Sequence, residues 1–108
     1  MAKTIKKAVT DYGLVRVAAV VPQVNVADVE GNVAHIIRGV DRAVKAGTRV
    51  VALPELCVTG YTCADLLGNE LLLDAAEQAL VKLCAHYRNT PVMVVVGAPL
   101  RCSGHLFN

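Results

Sequence analysis

Hydrophobic residues fall in two alternating rhythms along the chain. In Leu14–Val21, LVRVAAVV, only Arg16 interrupts the aliphatic run, and Pro22 ends it. Valine dominates the run, which predicts a buried strand. Val24–Val26 is a short linker, and Asp28 stands where a helix N-cap belongs. Val33, Ile36, Ile37, Val40, Ala43 and Val44 then recur at helical spacing, with His35, Arg38, Asp41, Arg42 and Lys45 on the other face. Gly47 suits a left-handed helix end, and Gly39, costly inside a helix, suggests close packing. Arg49–Leu53 reads as a second strand. After the loop Pro54–Gly68, Asn69 is placed to cap a helix running to about Arg88.

That second helix carries an apolar stripe of Leu72, Leu73, Ala76, Leu80, Leu83, Cys84 and Tyr87. Its acids Glu70, Asp74 and Glu77 lie early and its bases late, which suits the helix dipole. Asn89-Thr90-Pro91 ends it, and Val92–Gly97 is a third strand. Arg101–His105 reads as a turn, and Leu106–Asn108 as the start of a fourth strand. Ala64–Leu67 suggests a helical turn within the long loop. The order β-α-β-α-β(-β) predicts an α/β fold with a mostly parallel sheet. Ligands of such sheets bind beyond the carboxyl ends of the strands, which is where Glu55 falls. Residues 12–108 form the folded unit, and Met1–Asp11 is expected to be a flexible tail.

Composition sharpens this picture. Of 108 residues 55% are hydrophobic, with no Trp and one Phe, against an ordinary share of ~45–50%. Such an aliphatic excess suits strands buried on both faces, or an apolar surface meant to meet another one. Self-association into a homo-oligomer is therefore expected. The net charge of +2 is spread along the chain and calls for neither nucleic acid nor an anionic membrane. The longest apolar runs fall short of a membrane span. The basic start, MAKTIKK, lacks the apolar core of a secretion signal. Cys57, Cys63, Cys84 and Cys102 have neither C-x-x-C pairing nor zinc spacing, so reduced thiols in the cytoplasm are expected, and no metal site.

Familiar cofactor motifs do not occur: neither G-x-G-x-x-G nor G-x-x-x-x-G-K-[ST] is present. His35 and His86 read as solvated helix residues. Cys57 reads as a small core hydrophobe. Cys63 has no His or Lys in its loop to lower its pKa. By itself, Glu55 would pass as a solvated turn acid.

A resemblance changes that reading. Leu53-Pro54-Glu55-Leu56 followed by Thr59-Gly60-Tyr61, with Val17–Val21, Gln23 and Asn32 upstream, resembles the opening signature of the nitrilase superfamily. Tyr12–Ala19, the run LPELCVTGYTCADLLGNELL, Val96–Leu100 and Gly104–Asn108 resemble more narrowly the N-terminal glutaminase domain of the glutamine-dependent NAD⁺ synthetases. The likeness runs from about Tyr12 to Asn108. It implies a piece of a nitrilase-type αββα sandwich, and a Glu-Lys-Cys triad that hydrolyses the side-chain amide of glutamine. By motif match Glu55 takes the general base's place, and Tyr61 a place at the active-site entrance. The matching lysine and nucleophilic cysteine are expected after Asn108, because no cysteine here has the nucleophile's sequence context. ATP and Mg²⁺ are implied for a separate synthetase domain, not for this segment. These 108 residues are thus expected to be inert alone, with the rest of the synthetase chain as partner. Another nitrilase-superfamily amidase or carbamoylase, and a non-catalytic self-assembling half-domain, are the alternatives.

Overall fold

The computed structural model describes residues 7–108. Three strands, β1 (Val17–Ala19), β2 (Val50–Ala52) and β3 (Met93–Val95), form one parallel sheet in the order β1-β2-β3. Val17, Val50 and Met93 stand in register, as do Ala18, Val51 and Val94. Helix α1 (Val29–Lys45) connects the first pair and α2 (Glu70–Tyr87) the second. Strand order follows chain order, so crossovers of one hand put both helices on the same face. A hairpin of β4 (Leu100–Cys102) and β5 (His105–Phe107) follows as a separate antiparallel pair.

Local chemistry explains the element ends. The Asp28 carboxylate caps α1 by accepting from the Gly31 amide at 3.1 Å. Gly47 leaves the helix at φ 86°, a conformation that costs glycine little. Asn69 Oδ1 caps α2 through the Leu71 and Leu72 amides at 3.0 and 3.2 Å. The strands are shorter than the apolar runs that announced them, although single bonds, such as Val20 N to Ala52 O at 2.9 Å, carry the pairing a residue further.

The expected fourth strand is corrected. Leu100–Cys102, partly assigned to a turn, is itself a strand, and the turn is only Ser103-Gly104. Both turn residues have positive φ, 50° and 77°, which matches the twist of a two-residue hairpin. The Ala64–Leu67 turn belongs to a longer 3-10 segment, Tyr61–Gly68, kinked at Ala64 (φ 50°). In the expected tail, Val9–Tyr12 forms a 3-10 turn closed by Gly13, while residues 1–6 lie outside the described residues.

The core lies between the helices and one sheet face. Val33, Ile36 and Val40 of α1 meet Val51 of β2 and Ala76, Ala79 and Leu83 of α2. Ala79 was absent from the expected stripe, whereas Cys84 is exposed. His86 is not merely solvated: it sits 3.6 Å from Asp41 and edge-on to Tyr87. Tyr87 donates to Asp41 at 2.9 Å, and burial first, Asp41 second, push its pKa well above the usual phenol range. The opposite sheet face is bare. Val17 is 66% exposed, Met93 64% and Val95 53%, an aliphatic surface contributed by every strand.

The close packing expected at Gly39 is present. A Cβ there would lie 2.6 Å from Val20 Cγ1, so α1 crosses the exit of β1 at near contact. Gly39→Val should destabilise the chain by about 1–3 kcal/mol through overpacking, despite its better helix propensity. Urea unfolding checks this, and an unchanged midpoint would refute the contact.

Candidate active site

Glu55 stands beyond the carboxyl end of β2, at an exposed position reached through Leu53 and Pro54. The Leu53 amide still donates to Val95 O at 2.9 Å, so sheet pairing reaches to within two residues of the acid. Immediately after it the backbone reverses. Leu56 adopts φ 49°, a left-handed conformation costing a branched residue about 1–3 kcal/mol. Burial holds it there: Leu56, Cys57, Val58 and Thr59 are 5%, 1%, 0% and 0% exposed. The Gly60 amide closes the turn on Leu56 O at 2.8 Å.

The turn is clamped on two sides. Val58 N donates to Gly97 O at 3.2 Å. A Cβ on Gly97 would fall 2.4 Å from Leu56 N and 2.6 Å from Pro54 O. Only glycine lets the chain after β3 come this near the backbone that carries Glu55. On the other side, the wholly buried Asn32 donates to Val58 O at 3.0 Å. Its amide also exchanges two 2.8 Å bonds with the Asn25 backbone.

The carboxylate has one hydrogen-bond partner among the described residues: Asn108 Nδ2 donates to Glu55 Oε1. Tyr61, 68% exposed, opens the 3-10 segment on the far side of the buried turn. No hydrogen bond joins it to Glu55 among the described residues. The two predicted site residues thus flank one loop without direct coupling.

The cysteines divide by environment. Cys57 donates to Gly97 O at 3.6 Å, and burial pushes its thiol pKa up. Cys63 is buried against Thr59 O and Gly60 O, at 3.1 and 3.2 Å. Neither thiol is open to solvent. Cys84 and Cys102 are exposed. Among the described residues no group of three or more His, Cys, Asp or Glu is placed to hold a metal. Glu70, Asp74 and Glu77 come close in spacing, but Arg101 takes all three. No described helix is long and apolar enough to cross a membrane.

Three contacts were not foreseen: Gly97 against the Glu55 turn, Asn108 on Glu55 itself, and Arg101 on the acids of α2. Arg101 had a sequence signal: acids at positions 70, 74 and 77 share one helix face and invite a cation. For Asn108 no local pattern existed, since its partner is 53 residues away.

Residues 16–108, which include the three-stranded parallel sheet and the acid at its carboxyl end, match the carbon-nitrogen hydrolase family. The chain belongs to that family, and its sheet corresponds to part of a nitrilase-type fold. It is 34% identical over 97 residues to a glutamine-dependent NAD(+) synthetase of Mycobacterium tuberculosis (strain ATCC 25618 / H37Rv), covering 90% of this chain and 14% of that protein. To the enzyme of the same name from Aquifex aeolicus it is 38% identical over 74 residues, 68% of this chain and 13% of the other. The solved structure of a glutamine-dependent NAD(+) synthetase from Cytophaga hutchinsonii superposes with a TM-score of 0.80 at 30% identity, over 87% of this chain and 16% of that one. The chain therefore spans about 14% of the length of the curated relatives it matches.

The burial pattern predicts thiol reactivity. At mildly alkaline pH, Cys84 and Cys102 should be alkylated rapidly and Cys57 and Cys63 only after denaturation. Peptide mapping by mass spectrometry reads this out. Rapid labelling of Cys57 in the native state would contradict its assignment as a packed, protonated thiol.

Proposed function

We propose that these 108 residues are part of the glutaminase domain of a glutamine-dependent NAD⁺ synthetase, which hydrolyses glutamine to supply ammonia for amidation of nicotinic acid adenine dinucleotide. The observation carrying this reading is similarity to such synthetases along 90% of the chain, together with the acid of the LPEL motif at the sheet's mouth. In this reading Glu55 is the general base. It takes the proton of a cysteine thiol as the sulfur attacks the amide carbon. It passes that proton to the departing ammonia, and then takes one from the water that cleaves the thioester to glutamate. A strand-mounted carboxylate suits this work, because proton transfer needs hydrogen-bond reach more than strength. Tyr61 flanks the entrance. The lysine and the nucleophile are supplied outside these residues, and the segment alone turns over no glutamine. ATP and Mg²⁺ belong to the synthetase domain of the longer enzyme, which works in the cytoplasm.

The bare sheet face fits the same reading. Covering ~600 Å² of apolar surface is worth about 15 kcal/mol gross at ~25 cal/mol/Å², before association costs. In the longer enzyme that cover is the rest of the chain. In the isolated segment it is a second copy.

Two measurements follow. In the full-length enzyme, Glu55→Gln should lower glutamine-driven NAD⁺ formation by about 10²–10⁴-fold while leaving ammonia-driven formation intact. Survival of the glutamine-driven rate would remove Glu55 from the general-base role. For the isolated segment, light scattering after size exclusion should give a mass above 11.4 kDa, falling to the monomer value in Val17→Lys/Val95→Lys. A concentration-independent monomer would refute self-association.

A further inference from the structure

We propose that Asn108 is the positioning residue of the Glu55 carboxylate, and that the hairpin carrying it is held in place for this purpose by Arg101. The inference rests on the glutaminase reading above. Its foundation is geometric. Asn108 directly follows β5, and its Nδ2 donates to Glu55 Oε1. Oε2 has no hydrogen-bond partner among the described residues, so one carboxylate oxygen is anchored and the other is free to accept a proton. An amide suits the anchoring place. It donates a hydrogen bond to a carboxylate and does not itself titrate.

A donor at the end of a two-stranded hairpin is useful only if the hairpin is fixed, and such hairpins are marginal alone. Arg101, in the middle of β4, supplies the fixing. Its Nη1 pairs with Glu70, its Nη2 with Asp74 at 2.6 Å and its Nε with Glu77 at 3.0 Å. Those acids line the first half of α2, so every donor-bearing nitrogen of one guanidinium is spent on one rigid helix. Glu77 first, then Asp74, hold the guanidinium pKa above its ordinary value. Lysine could not replace it, because an ammonium lacks the planar fork. The hairpin is thereby tied to α2 at one strand and to the acid at the end of the other.

The test uses the full-length enzyme. Asn108→Leu removes the donor at nearly constant volume, and Asn108→Gln keeps an amide one methylene further out. Asn108→Leu should lower kcat for glutamine hydrolysis by on the order of 100-fold, the scale of a misplaced reacting group. KM for glutamine and ammonia-driven synthesis should be unchanged, and Asn108→Gln should recover part of the loss. Arg101→Leu should lower the same kcat, and the double variant should be no worse than the poorer single one, since both act through one contact. A wild-type kcat in Asn108→Leu, additive losses in the double variant, or an equal fall in ammonia-driven synthesis would overturn the inference. Crystal structures of wild type and Asn108→Leu give a readout independent of activity: the Glu55 carboxylate should be ordered on Asn108 in the first and reoriented in the second. If the wild-type enzyme released no glutamate, the glutaminase reading would fall. An unmoved carboxylate would overturn the positioning role by itself.

Discussion

The side chain of Asn32 has no contact with solvent, and its hydrogen bonds tie two separate loops to the first turn of α1. Through Asn25 it holds the chain leaving β1, and through Val58 the turn that follows Glu55. The Ala27 amide adds a 2.7 Å bond to Thr59 O across the same seam. These backbone groups lie at the carboxyl end of a parallel sheet, where strand pairing has run out and cannot satisfy them. A buried polar group left unpaired costs about 1–3 kcal/mol, so several are at stake in one amide. Its satisfaction lets the loop after β2 be buried rather than solvated. A buried loop, in turn, can hold Leu56 left-handed. The position of Glu55 therefore depends on a residue in the first turn of α1, far from it in sequence.

Much of this architecture was legible because it is periodic or local. The α1 face of Val33, Ile36 and Val40 announced itself by spacing, and the caps Asp28 and Asn69 act within three residues of themselves. The place of Glu55 beyond β2 was legible from the order of elements, while only the motif set it apart from any other turn acid. What remained hidden is non-local. Gly97 looked like the end of a strand, and its need for glycine arises from Leu56 and Pro54, some forty residues back. Strand β4 was hidden because Ser103 is a poor announcer of a positive-φ turn. The acids of α2 suggested dipole compensation, which is real but small. Their principal partner, Arg101, becomes visible only when the hairpin folds back.

The two faces of the sheet explain the composition. Ala18, Val51 and Val94 point at the helices, while Val17, Ala19, Ala52, Met93 and Val95 form the other face. A sheet washed by water on one side would alternate apolar with polar. This one is aliphatic on both sides, as in a sheet covered twice. The hydrophobic excess thus belongs mainly to one surface, and that surface is the face the helices leave uncovered.

The same economy governs the acid. A carboxylate within an apolar sheet would be expelled or neutralised, and one on a free loop would sample many positions. The structure separates the two demands. Backbone rigidity comes from below, through β2, the close approach of Gly97 and the buried turn of Leu56 to Thr59. Side-chain orientation comes from the side, through an amide on a hairpin locked to α2. The carboxylate itself keeps access to solvent, while the atoms that aim it are drawn from three separate stretches of chain.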